Sequence, residues 1–446
     1  MSTTIRRRIY WVALMGCLFQ LGRAHGQGQA SGSGQADRQI PGQVPGQHWA
    51  LTGVTIIDAK RAQPATGQTV VIADGIIERI FADGSQPLPD SMEVIRLKGK
   101  FLLSGLIDTH VHLATDPSGT DNRVATLEVL RRMLFSGITT VRDMAGDART
   151  LAGLSRDARL GEIAAPDIYF SALMAGPTFF TDPRTVASAR GGIPGRMPYM
   201  RAVTDTTDLR LAIAEAKGTG ATGIKLYANL DAALVGRIVT EAKKQGLLVW
   251  GHAWLDPARP SDLVKAGVGS ISHAPLLLYE KMNQVPAGWK KPGLPDRFWQ
   301  DSLPDESALF VIMKEKGTIL DATLSAYHQW ARRDSAMQYD YEITKRLAAA
   351  AYRAGVMICT GTDDDQESFV QGEMGLLVRD AGMSPRDAII AATLHGTEAL
   401  GIGGICGTIE IGKKADLLVL DKNPLEEIEN IRSVYLVVKG GKVFKK

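Results

Sequence analysis

The chain has 446 residues, 45% hydrophobic and 22% charged, an ordinary composition for a soluble globular protein and long enough for a barrel of about 250 residues plus a smaller module. Its net charge of +3 comes from residues 1–26, where Arg6, Arg7, Arg8 and Arg23 stand with no acid; the remainder has 47 basic and 48 acidic side chains, a balance that excludes nucleic acid as a partner. Three cysteines, Cys17, Cys359 and Cys406, exclude a disulfide framework.

In chain order, the arginine triplet, the apolar run Ile9 to Leu21 and the small residues around Ala24-His25-Gly26 have the layout of a secretory signal peptide over 1–26. The expected address is secreted or periplasmic. A second reading takes Leu14-Met15-Gly16-Cys17 as a lipoprotein box, with the protein lipid-anchored through Cys17. The run is shorter than the roughly 20 residues of a spanning helix, so no transmembrane helix is expected in the mature chain. Residues 27–47, rich in Gly, Gln, Ser and Pro, predict a disordered linker.

Short alternating strands follow over 48–103, including Val54 to Ile57, Thr69 to Ala73 and Ile76 to Phe81, with turns such as Ala73-Asp74-Gly75. The same style returns over 404–446 with Leu417 to Leu420 and Val434 to Val438. The two ends are predicted to pair into one small β-sandwich. Between them, over 104–403, strands and helices alternate: Thr139 to Arg142, Ile168 to Ser171, Ile224 to Tyr227, Leu247 to Gly251, Ser270 to Ser272, Ile319 to Ala322 and Met357 to Cys359 follow a first strand near residue 106, with amphipathic helices at Leu209 to Lys217, Asp231 to Lys244 and Glu342 to Arg353. The predicted class is α/β, a (β/α)8 TIM barrel with the sandwich at its chain ends.

The first barrel strand ends Asp108-Thr109-His110-Val111-His112. Side chains two apart on a strand share a face, so His110 and His112 can grip one metal ion. Lys225, His252, His273 and Asp363 each end a later predicted strand. The C-terminal ends of barrel strands meet at one mouth, which brings all six together.

This ordered set, with Asp108 and the late segment Ser384-Pro385-Arg386-Asp387-Ala388 to Ala391-Ala392-Thr393, resembles the metal-dependent amidohydrolase superfamily over about residues 48–446. It looks closest to the branch with a lysine on the fourth strand, which includes prolidase-like dipeptidases and imidazolonepropionase-related enzymes. The resemblance implies two divalent metal ions, usually zinc: His110, His112 and Asp363 on the more buried ion, His252 and His273 on the more exposed one, and Lys225 as a carbamate bridging both. One departure is His395-Gly396-Thr397, where relatives usually show Asn-Pro-Ala.

Cationic lysine has no lone pair to give a metal, whereas a lysine neutralised by burial can add CO2. A carbamate at Lys225 is therefore expected, an unmodified cation being the alternative. A hydroxide between two cations is a strong nucleophile at neutral pH. Asp363 is the expected catalytic residue, taking a proton during attack and handing it to the leaving amine. Asp108 reads as an orienting carboxylate rather than a ligand.

Long connections follow the third strand, Met174 to Met200 with Arg184, Arg190, Arg196 and Tyr199, and the sixth, Leu276 to about Pro304 with Trp289, Phe298 and Trp299. They suggest a lid and a shaped pocket, where an arginine could clamp a substrate carboxylate. Tyr227, on the Lys225 face, and His328, after the seventh strand, are further candidate contacts; solvated surface positions are the competing reading for the arginines and His328. The expected function is a secreted binuclear amidohydrolase, assembled as a homo-oligomer and acting on a small molecule, cleaving an amide or peptide bond in a dipeptide or N-acyl amino acid. The same site could open a cyclic amide, a lactone or a phosphotriester. A barrel without catalysis, serving as a metal-binding or scaffold protein, is the alternative of another class.

Overall fold

The computed structural model describes residues 48–115, 122–281, 304–363 and 368–445. The leader, the linker, Cys17, Trp289, Phe298 and Trp299 lie outside the described residues. Eight strands, Leu106–Val111, Ile138–Asp143, Asp167–Ala175, Gly223–Leu226, Leu248–His252, Ser270–Ser272, Ile319–Asp321 and Ile358–Cys359, pair in parallel in that order. The circle closes where Thr109 N–H donates to Thr360 O (2.9 Å) and Thr360 Oγ1 donates to Ile107 O (2.8 Å). These strands are buried almost throughout, which explains their short apolar runs in place of clean alternation.

The outer helices turn one stripe inward. Ala232–Lys244 buries Leu234, Val235, Ile238, Val239 and Ala242, and Asp231 caps it by accepting from Leu234 N (2.8 Å). At the position of the departure in the sequence pattern, His395 Nδ1 donates to Ile358 O (2.8 Å), and a side chain at Gly396 would strike Ile107 Cβ at 2.9 Å. The helix Leu394–Leu400 thus lies directly on the first barrel strand.

The chain ends build one continuous mixed sheet. Phe101–Ser104 pairs antiparallel with Leu417–Leu420, which continues to Val434–Lys439 and Lys442–Phe444. On the other side, His48–Ile56 pairs parallel with both Glu93–Arg96 and Phe101–Leu102, changing partner across a break in register. Gly53 stands at that break with φ +78°, where an added Cβ would meet Lys98 N at 3.0 Å. The bend encloses a core of its own around Leu51, Ile72, Leu102, Val419 and Val438.

Cys359 and Cys406 are buried and free, and both join one apolar cluster with Ile107, Ile319 and Leu400. The connection after the third strand has structure of its own, a helix at Pro183–Ser188 and a strand at Met200–Ala202 that returns alongside Leu173–Ala175. No helix among the described residues is long and apolar enough to cross a membrane.

Candidate active site

At the mouth of the barrel the sequence-predicted ligands meet. His112 Nε2 lies 3.1 Å and His110 Nε2 3.4 Å from Asp363 Oδ1, while His273 Nδ1 lies 3.7 Å from Asp363 Oδ2. The rings of His252 and His273 are 4.4 Å apart, and those of His110 and His273 5.1 Å. Lys225, fully buried, reaches Ser272 Oγ at 3.3 Å. His273 (φ +76°) and Asp363 (φ +46°) sit in the left-handed region, a strained backbone that serves to aim their side chains.

Burial governs the protonation of these groups. It lowers Lys225 to about 7 and His273 to about 3, and it holds His252 well below the ordinary imidazole value. Burial also lowers His110, against the pull of Asp363 and Asp321. For Asp363 burial works against the charge, but His110, His112 and His273 outweigh it and keep the carboxyl ionised. Burial thus biases His110, His252, His273 and Lys225 toward their neutral, donor forms around an anionic oxygen.

Several supporting residues carried no signal in the sequence reading. Asp321 ends the seventh strand and holds His110 Nδ1 at 2.6 Å, so that Nε2 is the nitrogen turned toward Asp363. Ser272 Oγ donates to the same Asp321 oxygen (2.9 Å). Arg142, wholly buried, donates from Nε to Thr109 O (2.6 Å), lies over the Trp250 ring and comes within 4.0 Å of Asp321. Asp321 and Arg142 were visible only as lone charges within apolar strands.

Asp108 accepts from His110 N (3.1 Å), Thr362 N (3.1 Å) and Thr362 Oγ1 (2.7 Å), and burial raises its carboxyl to about 7. It therefore joins the first strand to the residue preceding Asp363. Gly361 completes the joint, since a side chain there would meet Asp321 Oδ1 and strike His110 Cβ at 2.7 Å.

A cavity of about 830 Å³ opens over these groups, walled by Phe179, Trp254, Tyr327 and Trp330 among others. Tyr227 and Arg184 line it; Arg184 Nη2 donates to Tyr227 Oη (3.1 Å), while its Nε and Nη2 also pair with Asp182. Arg190 and Arg196 are exposed and outside the lining, because the connection folds back on itself beyond the Pro183–Ser188 helix. His328 is also outside it, its ring 5.2 Å from that of the buried Tyr341.

The donor set fits a divalent cation. One ligand atom each from His110, His112 and Asp363 lie within 4.8 Å of one another, and His252 and His273 add neutral imidazoles beside them.

A closed parallel barrel with such donors at its mouth defines a metal-dependent barrel hydrolase. The chain belongs to the amidohydrolase family, whose match spans residues 101–444, and it acts as a hydrolase of carbon–nitrogen bonds. An ochratoxinase from Aspergillus niger is 26% identical over 456 aligned residues, covering 88% of this chain and 87% of the relative. A solved prolidase complexed with N-methylphosphonate-L-proline is 25% identical, with a TM-score of 0.72 over 90% of this chain and all of that one. A Xaa-Pro dipeptidase with bound methionine shares the fold at 23% identity, TM-score 0.72, and the same coverage.

Proposed function

We propose that this protein is a binuclear hydrolase that removes an amino acid bearing a free carboxylate from a small amide, a dipeptide or an N-acyl amino acid. The supporting observation is the convergence of His110, His112, Lys225, His252, His273 and Asp363 beneath one cavity that also presents Arg184 and Tyr227. His110, His112 and Asp363 would hold one divalent ion, His252 and His273 a second, with Lys225 carboxylated by CO2 between them. When bound, the ions acidify water and polarise the scissile carbonyl. Zinc is the proposed metal.

The chain's own residues supply the rest. Asp363 accepts the proton of the attacking water at a carboxylate oxygen and returns it to the leaving amine. Tyr227 and Arg184 orient the substrate carboxylate from the cavity wall. The aromatic walls exclude water and accept an apolar acyl group, and a cavity of this size favours acyl groups larger than a single amino-acid residue. Lys225, lowered to about 7, has a substantial neutral fraction at physiological pH and can add CO2. Electron density at its Nζ tests this: a carbamate adds three atoms, and a bare amine overturns the assignment.

The direct test uses zinc-loaded enzyme with dipeptides and N-acyl amino acids of increasing acyl size, measuring the amino acid released. Release that rises with acyl size is expected. No release from protein holding two metal ions would reject the amide assignment and favour lactones, cyclic amides or phosphotriesters.

Tyr227→Phe is expected to raise KM by about 10- to 100-fold, the worth of a hydrogen bond to a charged group, with a smaller change in kcat. Equal KM values in the two enzymes would remove Tyr227 from carboxylate recognition. We also infer export from residues 1–26, checked by the N-terminal sequence of the mature protein.

A further inference from the structure

Helix Leu324–Arg333 follows the seventh barrel strand and carries Tyr327 and Trp330 into the cavity wall. It begins at Thr323, a residue type that usually caps its own helix. Here Thr323 makes no side-chain cap; its backbone is left-handed (φ +53°, ψ +43°), a rare state for a β-branched residue, and its Oγ1 stands 3.0 Å from His273 Nδ1.

The missing cap comes from elsewhere in the chain. Glu373, wholly buried on helix Phe369–Arg379, accepts from Leu324 N with one carboxylate oxygen (3.0 Å) and from Ser325 N with the other (2.6 Å). It has no salt bridge to lysine or arginine among the described residues. Burial pushes this carboxyl up to about 8 against the pull of the Leu324 and Ser325 amides, which give its two oxygens their partners.

We propose that Glu373 is a positioning residue: by capping the helix in place of Thr323, it frees the Thr323 hydroxyl to orient His273 and fixes the aromatic wall that receives the acyl group. It touches no reacting atom and acts through two links. One runs through Thr323 to the ring of His273, whose Nδ1 contact sets the orientation and tautomer of the imidazole. The other runs through the helix axis to Tyr327 and Trp330. This inference rests on the reading of His273 as a metal ligand.

The test compares native enzyme, Glu373→Gln, Thr323→Val and Thr323→Ser for zinc affinity by chelator competition and for KM and kcat on small and bulky N-acyl amino acids. The carboxamide of Glu373→Gln presents an N–H to one of the two amides. It is expected to weaken the weaker zinc site about 10- to 100-fold, the usual effect of losing a partner of a metal-binding histidine, and to raise KM for the bulky substrate more than for the small one. Thr323→Val should reproduce the loss of affinity without the substrate-size effect, and Thr323→Ser should restore affinity. If Glu373→Gln lowers only the unfolding midpoint, with zinc affinity and the KM ratio unchanged, the proposal fails. Should Glu373→Gln not fold, the Thr323 pair decides: unchanged affinity in Thr323→Val overturns the link to His273. A native protein that binds no zinc would instead reject the metal reading itself, a distinct result.

Discussion

Asp363→Asn is expected to lower kcat by about 10²- to 10⁴-fold, the range for loss of a general acid–base group, while much of the bound metal remains. Asparagine keeps an oxygen for a cation and much the same shape, but it is far too weak a base to take a proton from water near neutral pH. The native carboxylate is held ionised because three histidines outweigh its burial, which is the state the proposed proton acceptor needs. It is also placed by its backbone: Asp363 N–H donates to His110 O (2.8 Å), and Asp108 holds the preceding Thr362. Turnover within a few-fold of native, with metal content confirmed by elemental analysis, would remove Asp363 from the proton path.

The second large effect concerns stability. Lys414→Met is expected to cost about 3–5 kcal/mol, the penalty for breaking a buried ion pair from one side. Lys414 bonds Asp167 at the start of the third barrel strand and lies 3.2 Å from Asp416; Lys439 approaches Asp167 at 2.7 Å and donates to Ala158 O at 3.1 Å. Removing Lys414 leaves two buried carboxylates with one lysine. Burial disfavours the Asp167 charge, but Lys414 and Lys439 outweigh it and bring its pKa from 3.8 to about 2. A depressed acid stabilises the fold above its unfolded value, so this contribution is complete above about pH 5 and is lost as pH falls through 3.8 toward 2. Asp416 is shifted upward by burial and takes a proton earlier, which does not weaken the fold. Denaturant unfolding at several pH values measures both effects. A loss under 1 kcal/mol, or one unchanged when Asp167→Asn is combined with Lys414→Met, would mean that the cluster is not coupled as drawn.

The barrel and its candidate ligands were legible because each rests on a repeated pattern: a strand-like run, a donor at its end, a helical stretch behind it. His110, His112, Lys225, His252, His273 and Asp363 all obey that rhythm. Asp321, Arg142 and Glu373 do not, since each is a single charge within an apolar element, and only the fold reveals which buried partner offsets it. The arginines of the long connection show the other limit. Arg184, Arg190 and Arg196 are equivalent in sequence, yet only Arg184 follows a capped turn at Asp182 that directs it into the cavity. Thr323 shows a third limit: it is a cap residue type whose hydroxyl serves a different element.

The sheet made from both chain ends also has a temporal meaning. Phe101–Ser104 pairs on one edge with the nearby Thr55–Ile56, but its other edge finds its neighbour in Leu417–Leu420, more than 300 residues later. At ribosomal rates of about 5–20 residues per second, the edge of Phe101–Ser104 waits roughly 15–60 s for that partner. During that interval Leu102 and Leu103, later wholly covered, remain open to solvent and to other chains. A nascent chain of this protein is therefore a client for holding factors until its last thirty residues emerge, and premature termination anywhere before Leu417 leaves a sticky edge that no later folding step can cover.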